Sequence, residues 1–443
     1  MTRFRGSAIR PFPNESSLSD PKPAPAPLPR AVWVLSWVSF FADVSSEMIY
    51  PLLPLFLVGV LGSSRTELGL IEGAAVLLVA LMSATAGFRS DRRGARVPWI
   101  RWGYGLPVLG KGVIALATGW PLVLGGRLLD RFGKGLRGAP RDALIADAVA
   151  AEHRGRAFGL HRAFDTAGAL AGVLLSAFLL WRLTGTPVKS AATEIAVASV
   201  ATPAWVYRAI FGVGAALGLA SLGLTFLVRE STSTVARASS PVGPDAAARP
   251  TPARSGWLGL PRPYWSAVAV LVLFSLANSS DVFLLLRARE LGYSPWAAVL
   301  VYAVYNLTYA AFAYPAGVIS DRLGRWGIIA VGWAIYAAVY AGFALLPASH
   351  AYGLWPLMAC YGVYMALTDG VGKALIADLA PPDRRGTAMG VFYALTGVTT
   401  LVASLVVGIV WDRAGPTTAL LIGAGCAVVA LAALALVMRR RPS

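Results

Sequence analysis

The sequence has few of the residues that build catalytic and metal centres. Only two cysteines and three histidines occur among its 443 residues. Cys360 and Cys426 both lie inside apolar stretches, so they offer neither a disulfide framework nor a zinc site. No nucleophile–base constellation is visible, and no Walker sequence marks a nucleotide-binding loop. We therefore expect a protein that is not an enzyme, has no cofactor or metal and does not use ATP directly.

Charge is scarce as well. Charged residues make up 14% of the chain and hydrophobic residues 56%, whereas soluble domains average about 25% and 45–50%. A soluble core cannot bury that much apolar surface, so lipid must cover the excess. The net charge of +17 would suggest nucleic acid as a partner, but the arginines lie in short loops between apolar stretches. The sequence therefore predicts a protein of the lipid bilayer that binds no nucleic acid.

Twelve stretches are long and apolar enough to cross a bilayer, which takes about 20 residues. They lie near 31–61, 66–88, 98–118, 120–148, 157–181, 204–228, 264–290, 295–319, 326–347, 352–380, 387–411 and 416–438. Pro51 and Pro54 are expected to bend the first of these spans.

The remaining segments divide the chain. Residues 1–30 are rich in proline and contain arginine, with no apolar run and no cleavage site, which predicts a disordered tail. Residues 229–263 are rich in Ser, Pro, Ala and Arg, as in a flexible linker. We therefore predict two six-helix halves, 31–228 and 264–438, followed by a short tail, 439–443.

Short motifs recur in the two halves in the same order, 230 to 234 positions apart. The repeated pairs are Gly87-Phe-Arg-Ser-Asp91-Arg92 with Gly317-Val-Ile-Ser-Asp321-Arg322, Ala143-Leu-Ile-Ala-Asp147 with Ala374-Leu-Ile-Ala-Asp378, and Ser45-Ser46-Glu47 with Ser279-Ser280-Asp281. Each match is weak alone, but their shared order and spacing indicate a duplication. Two homologous membrane halves predict a transporter.

The arginines predict the orientation. Both tails, the linker and the 2–3, 4–5, 8–9 and 10–11 loops carry arginine, and all lie on one side if the spans number twelve. That side should be cytoplasmic, with both termini inside a multi-pass protein of the cell membrane. The exception is the connection 182–203, which carries Arg182 and Lys189 on the opposite side but is longer than the other outer loops.

The segment Gly87-x-x-x-Asp91-Arg92-x-Gly94-x-Arg96 resembles the 2–3 loop motif of the major facilitator superfamily. In the fourth span, Arg131-x-x-Lys134-Gly135 is similar to the Arg-x-x-Gln-Gly motif of proton-linked drug antiporters, with Lys in place of Gln. The fifth span lacks the Gly-Pro pair of those antiporters. The likeness is to a poorly characterised prokaryotic branch of the superfamily. It implies an all-α membrane fold of twelve helices in two pseudo-symmetric halves, working by alternating access.

The repeated loop motif predicts a conformational latch on the cytoplasmic side. Glycines at the motif start should let helices approach closely, each motif aspartate should face a helix N-terminus in the other half, and each motif arginine should pair with a helix-ending aspartate. Such contacts can latch the cytoplasmic side when the outer side is open, because they exist in only one of two rocking states. The residues are Gly87, Asp91, Arg92, Asp147, Gly317, Asp321, Arg322 and Asp378. The alternative is that the arginines only set topology and form solvated caps.

Ionisable side chains inside the bilayer are costly and usually face a cavity. The resemblance implies that spans 1, 4, 7 and 10 line the transport path, and most of the deep charges fall on them. The candidates for the path and for coupling are Asp43, Glu47, Glu72, Arg127, Asp130, Arg131, Lys134, Asp281, Asp369 and Lys373. Glu72 has an equal alternative as a structural acid, and the charges of the fourth span have one as internal ion pairs.

A carboxylate that moves against an arginine between two states can take up and release a proton. We therefore predict a secondary transporter, a monomer, that exports a small organic compound in exchange for protons. The alternative within transport is uptake or exchange of an anionic solute, held by the cations of the fourth span. From other classes, a membrane-embedded enzyme lacks a reactive constellation, and a non-transporting sensor would usually need an added soluble domain.

Overall fold

The computed structural model describes residues 28–93, 95–149, 154–187, 202–229, 259–381 and 384–439. Most of both tails and most of the linker lie outside these ranges, so the disorder predicted for them stays a prediction. The described residues form long helices joined by short connections. Seven of the described helical stretches are long and apolar enough to cross a membrane on length and composition alone.

Twelve membrane helices follow the predicted spans in order. They are α1a (Arg30–Glu47) with α1b (Leu53–Gly59), α2 (Arg65–Arg93), α3 (Val97–Ala115), α4 (Trp120–Ala148), α5 (Arg154–Thr184), α6 (Ala204–Thr225), α7a (Arg262–Ser275) with α7b (Val282–Glu290), α8 (Pro295–Leu323), α9 (Arg325–Leu345), α10 (Leu354–Leu379), and α11 and α12 within Arg385–Arg439. The last two meet at Gly415, whose φ of 83° suits glycine and turns the chain back.

The first and seventh helices are interrupted. In the first, Tyr50–Leu52 form a 3-10 turn, because Pro51 and Pro54 cannot donate helical hydrogen bonds. The span predicted at 264–290 is likewise two helices rather than one, although it has no proline at the break. Here the Tyr336 hydroxyl donates to the Ala277 carbonyl oxygen (2.5 Å), and the Ser280 N–H donates to Ser404 Oγ (3.2 Å). Side chains of α9 and α11 thus satisfy backbone groups that the break releases.

We call the end of the bundle that carries the 2–3, 4–5 and 8–9 connections the inner end, after the predicted orientation. The halves meet chiefly where α2 packs on α11 and α5 packs on α8. Glycines bring α2 and α11 close near the outer end. A Cβ at Gly69 would strike the Ser404 carbonyl oxygen, and one at Gly73 would lie 2.6 Å from the Leu401 Cα.

The two ends of the bundle differ. Between the halves lies a central cavity of about 700 Å³ at the level of the breaks, and beside it toward the inner end an inner cavity of about 930 Å³. At the outer end, the Asp412 carboxylate of α11 accepts hydrogen bonds from the first N–H groups of α2, and Trp296 Nε1 donates to the Thr186 carbonyl oxygen. The halves are therefore closed together at the outer end and separated at the inner end.

Candidate functional site

The central cavity gathers most of the predicted path residues. Those that line it are Glu47, Glu72, Arg127, Arg131, Lys134, Asp281, Asp369 and Lys373. Asp43 lines the inner cavity instead, which also contacts Lys134. Asp130 lies behind the cavity wall, where it contacts the arginines described next. The structure thus places acids and bases from both halves around one space.

Glu72 and Arg127 form a buried pair between α2 and α4. Arg127 Nε and Nη2 each donate to one carboxylate oxygen of Glu72 at 2.9 Å, and the two residues are only 2% and 4% exposed. The guanidinium also lies 5.1 Å from the centre of the Tyr50 ring, at the α1 break. A two-bond arginine–carboxylate pair fixes both side chains in register. This geometry favours the structural alternative for Glu72.

The other charges of α4 are paired unequally. The buried carboxylate of Asp130 lies 3.6 Å from Arg127 Nη1 and 3.3 Å from Arg131 Nε. Lys134, one turn further along, is exposed to the two cavities and has no ion pair within 4 Å in the described parts of the chain. Arg131 and Asp130 therefore form an internal pair, whereas the Lys134 ammonium remains available to a ligand.

Glu47 lies at the end of α1a, directly before the break. Its Oε2 atom is buried and has no hydrogen-bond partner among the described residues. The cations that act on this carboxyl group are Lys134, Arg131 and Arg127. A buried carboxylate oxygen without a hydrogen-bond donor costs free energy. This position therefore suits a carboxyl group that binds a proton, or gains a new partner, as the helices move.

Asp43 lies one turn before Glu47 and faces Asp165 of α5. Asp165 accepts a hydrogen bond from Ser39 and lies 3.7 Å from Arg162 Nη1 and 4.0 Å from His161 Nδ1. The sequence places these charges on two separate helices, and the fold joins them into one cluster at the edge of the inner cavity.

In the second half, tyrosines hold the acids. The Tyr361 hydroxyl donates to Asp281 at 2.6 Å, and the Tyr309 hydroxyl donates to Asp369 at 3.0 Å. Asp369 also pairs with Lys373, one turn along α10, at 2.7 Å. The second wall of the cavity is therefore built from hydroxyl groups and one ion pair.

Sequence reasoning missed two features of the site. Lys111 of α3 is 3% exposed and donates to Ser45 Oγ (2.6 Å) and Ser46 Oγ (3.1 Å), next to the α1 break. Its position as a lone lysine within an apolar span could have identified it as a candidate from the sequence. The second feature is a set of buried tyrosines around the α7 break. It comprises Tyr302, Tyr305, Tyr336, Tyr340, Tyr361 and Tyr364, which recur at helical spacing in the sequence.

The structure is open at the inner end, whereas the latch is predicted for the form that is closed there, so the latch stays a prediction and the contacts below belong to the inner-open form. Arg325, not Arg322, pairs with Asp378 (2.6 Å), and it also contacts Asp321 (2.9 Å). The Gly324 turn, with φ of 90°, places Arg325 at the start of α9, facing back toward α8. Asp321 thus contacts its own half rather than the other half. A Cβ at Gly317 would meet no described atom within 4 Å, so no other helix approaches this glycine closely in the inner-open form.

The first copy of the motif shows the same arrangement. Arg96, just after the 2–3 loop, pairs with Asp147 at the end of α4, as Arg325 pairs with Asp378 in the second half. The surroundings of Gly87 and the side chains of Asp91 and Arg92 lie outside the described part of the structure. Their predicted roles therefore remain predictions.

The chain is similar to known transporters over nearly its whole length. A family model described as Major Facilitator Superfamily matches residues 35–398. An uncharacterised MFS-type transporter of Methanocaldococcus jannaschii is 31% identical over 408 residues, which is 91% of this chain and 93% of that protein. The multidrug resistance protein MdtH of Cronobacter sakazakii is 26% identical over 77% of each chain.

A solved structure supports the same fold. The crystal structure of a D-xylose-proton symporter aligns with a TM-score of 0.69 at 16% identity, covering 91% of this chain and 96% of that one. The predicted fold class, twelve helices in two related halves, is confirmed by this likeness together with the family match. The chain is therefore a multi-pass membrane protein, and it belongs to the major facilitator superfamily of transporters.

Proposed function

We propose that the protein exports a small organic compound from the cytoplasm in exchange for protons, acting as a monomer in the cell membrane. The observation that carries the proposal is Glu47, whose buried Oε2 has no hydrogen-bond partner among the residues described in the outer-closed form. The carboxyl group stands at a helix break, opposite cations of α4. The multidrug resistance protein among the relatives supports export as the direction.

The break in α1 gives Glu47 a way to move. When the halves rock, α1b and the end of α1a can change their angle at the 3-10 turn without breaking further backbone hydrogen bonds. Glu47 then approaches or leaves Arg131 and Lys134. A proton taken up from one side would be released when the carboxyl group meets the cations, and substrate would cross in the opposite phase.

The test is transport in proteoliposomes across a compound library, with and without an imposed pH gradient. Glu47→Gln should keep substrate binding at fixed pH but lose gradient-driven accumulation, because an amide cannot carry the proton. Arg131→Ala should reduce both, since it removes the cation 3.3 Å from Asp130 and one of the three cations that act on Glu47. Glu67→Gln is the matched control, because this acid of α2 accepts a hydrogen bond from the Ser64 N–H at the outer end and does not line either cavity as described. Full accumulation in both Glu47→Gln and Asp43→Asn would overturn the coupling role.

One observation favours a second candidate, the transport of an organic anion. Lys134 is exposed to both cavities and has no ion pair in the described parts of the chain. A carboxylate or phosphate of the solute would supply its missing partner. Lys134→Gln should then abolish binding of the anion but spare neutral compounds of the same library. Equal loss for both kinds of compound would favour export of neutral solutes with Lys134 serving Glu47.

A further inference from the structure

A side pocket opens from the central cavity into the second half, between α7a, α9, α10 and α11. It has a volume of about 220 Å³, and it shares seven lining residues with the central cavity, among them Asn278, Asp369, Lys373 and Thr396. Its far wall is formed by Phe274 and Trp333. Because it joins the transport path through residues that line both spaces, a solute in the central cavity can extend into it.

The far wall is aromatic and flat. The rings of Phe274 and Trp333 are stacked, with centroids 4.4 Å apart and planes within 5° of each other. The Tyr364 ring lies 6.0 Å from that of Phe274. Phe392 and Tyr393 line the pocket on the α11 side. Such surfaces favour a planar ring, which gains offset-stacked or edge contacts beyond simple burial of apolar area.

The pocket holds one ion pair, Lys373 with Asp369, and several uncharged groups that can accept hydrogen bonds. The hydroxyls of Ser275, Thr368 and Thr396 donate to carbonyl oxygens of their own helices, at 3.0, 2.9 and 2.9 Å. Their protons are therefore used, and their oxygen lone pairs remain for a ligand. The Asn278 side-chain oxygen has no partner among the described residues. A ligand that carries N–H or O–H donors would satisfy these groups.

From these observations we infer that the side pocket binds a planar ring or fused ring pair bearing at least one N–H or O–H donor, as one end of the transported compound. A cavity of about 150 Å³ accepts benzene, so 220 Å³ has room for one ring system of this size. The rest of the compound would lie in the central cavity beside Lys373. The inference rests on the proposed transport through that cavity and adds the chemical class of the solute.

Two glycines of α10 give a matched pair of variants. Gly372 is buried and lines the pocket, whereas Gly370 is exposed and lines neither the pocket nor the central cavity. A Cβ at either position would meet nothing within 4 Å. Gly372→Leu should therefore extend a side chain into the pocket from a position with room for its Cβ, and Gly370→Leu should leave the pocket open. Both changes alter helix propensity alike.

The probes are 2-naphthol, which is planar with one O–H donor, 2-methoxynaphthalene, which lacks the donor, and 2-decalol, which is not planar. Binding is measured with the full chain in lipid nanodiscs, with empty nanodiscs as the blank. We expect 2-naphthol to bind saturably and more tightly than the other two probes. Its affinity should exceed that of 2-methoxynaphthalene about two- to tenfold, because only 2-naphthol has the O–H donor. Gly372→Leu should weaken 2-naphthol at least tenfold, and Gly370→Leu should not.

A second pair of variants tests the acceptor. Thr396→Val should reduce the advantage of 2-naphthol over 2-methoxynaphthalene, whereas Thr399→Val, at a half-buried position of α11 that lines neither the side pocket nor the central cavity, should keep it. The inference is overturned if wild type does not bind 2-naphthol, or if Gly372→Leu binds it as wild type does. Transport separates the two proposals. If Gly372→Leu loses 2-naphthol binding but wild type shows no gradient-driven transport, the pocket is supported and proton coupling is refuted. If wild type shows gradient-driven transport but Gly372→Leu binds 2-naphthol as wild type does, only the pocket is refuted.

Discussion

The Asp412 contact at the outer end should hold the protein in the outer-closed form. Its carboxylate accepts hydrogen bonds from the Arg65 N–H (3.1 Å), the Thr66 N–H (2.9 Å) and the Thr66 hydroxyl (2.8 Å). It joins α11 of one half to the N-terminus of α2 of the other, where a negative charge is favoured by the helix dipole. The contact must break when the outer end opens.

The size of the effect follows from the geometry. Buried hydrogen bonds to a charged group contribute about 1.5–3 kcal/mol each. The Asp412 side chain is 24% exposed, so water can form hydrogen bonds to the carboxylate when the contact opens. These bonds offset much of the free energy lost with the three protein hydrogen bonds. For the set of three we estimate about 2 kcal/mol, which corresponds to about a thirtyfold change in the ratio of outer-closed to outer-open molecules. Asp412→Ala should lose all of it, and Asp412→Asn about half.

Spin-label distances measure this ratio. With Cys360 and Cys426 replaced by alanine, labels at positions 116 and 345 report on the outer end, where Leu116 and Leu345 are 78% and 67% exposed on opposite halves. Asp412→Ala should add a longer distance that wild type lacks. Arg413→Ala, the adjacent exposed residue, is the control. If the distance distributions of Asp412→Ala and wild type coincide, the contact does not decide the conformation and the reasoning is refuted.

Three further predictions concern the inner end, the buried pair and the orientation. Asp321→Asn and Asp91→Asn should shift the conformational equilibrium toward the form open at the inner end and slow transport. Distances between labels on the inner helix ends would reveal the shift. If these distances do not change, the two aspartates serve only as topology signals. Arg127→Ala should lower stability by about 3–5 kcal/mol, because Glu72 is left buried and unpaired, and a melting curve that matches wild type would contradict this. Cysteines placed at positions 93, 254 and 440 should resist an impermeant reagent added outside intact cells, and rapid labelling at any of them would reverse the orientation.

The membrane helices were predictable because the bilayer imposes a length on every span. The spans expected at 120–148 and 204–228 are observed as Trp120–Ala148 and Ala204–Thr225. The interruption of α7 was not predictable from local sequence. Its backbone groups are satisfied by Tyr336 and Ser404, which are far away in the chain, and no proline or glycine marks the break. Helix positions are local information, whereas the partners that make a break tolerable are not.

The same distinction applies to the site. The cost of charge in a membrane identifies which side chains face the cavity, and most of the predicted path residues do line it. Which charges pair depends on helix rotation and turn geometry. Arg322 and Arg325 are three residues apart in one motif, and the turn at Gly324 decides that Arg325 contacts Asp378. Lys111 was missed because its partners are the hydroxyls of Ser45 and Ser46, which carry no charge to suggest a pairing.

The repeated Ser-Ser-acid segment, residues 45–47 and 279–281, has different surroundings in the two halves. In the first half it precedes the α1 break, where Glu47 faces cations and its Oε2 has no hydrogen-bond donor among the described residues. In the second half it lies within the α7 break, where Asp281 accepts a hydrogen bond from Tyr361. A carboxyl group that faces cations without a hydrogen-bond donor suits proton exchange, whereas one held by a tyrosine hydroxyl suits a fixed wall. This asymmetry favours coupling by the first half and recognition of the solute's ring by the second, since the side pocket opens beside the same break.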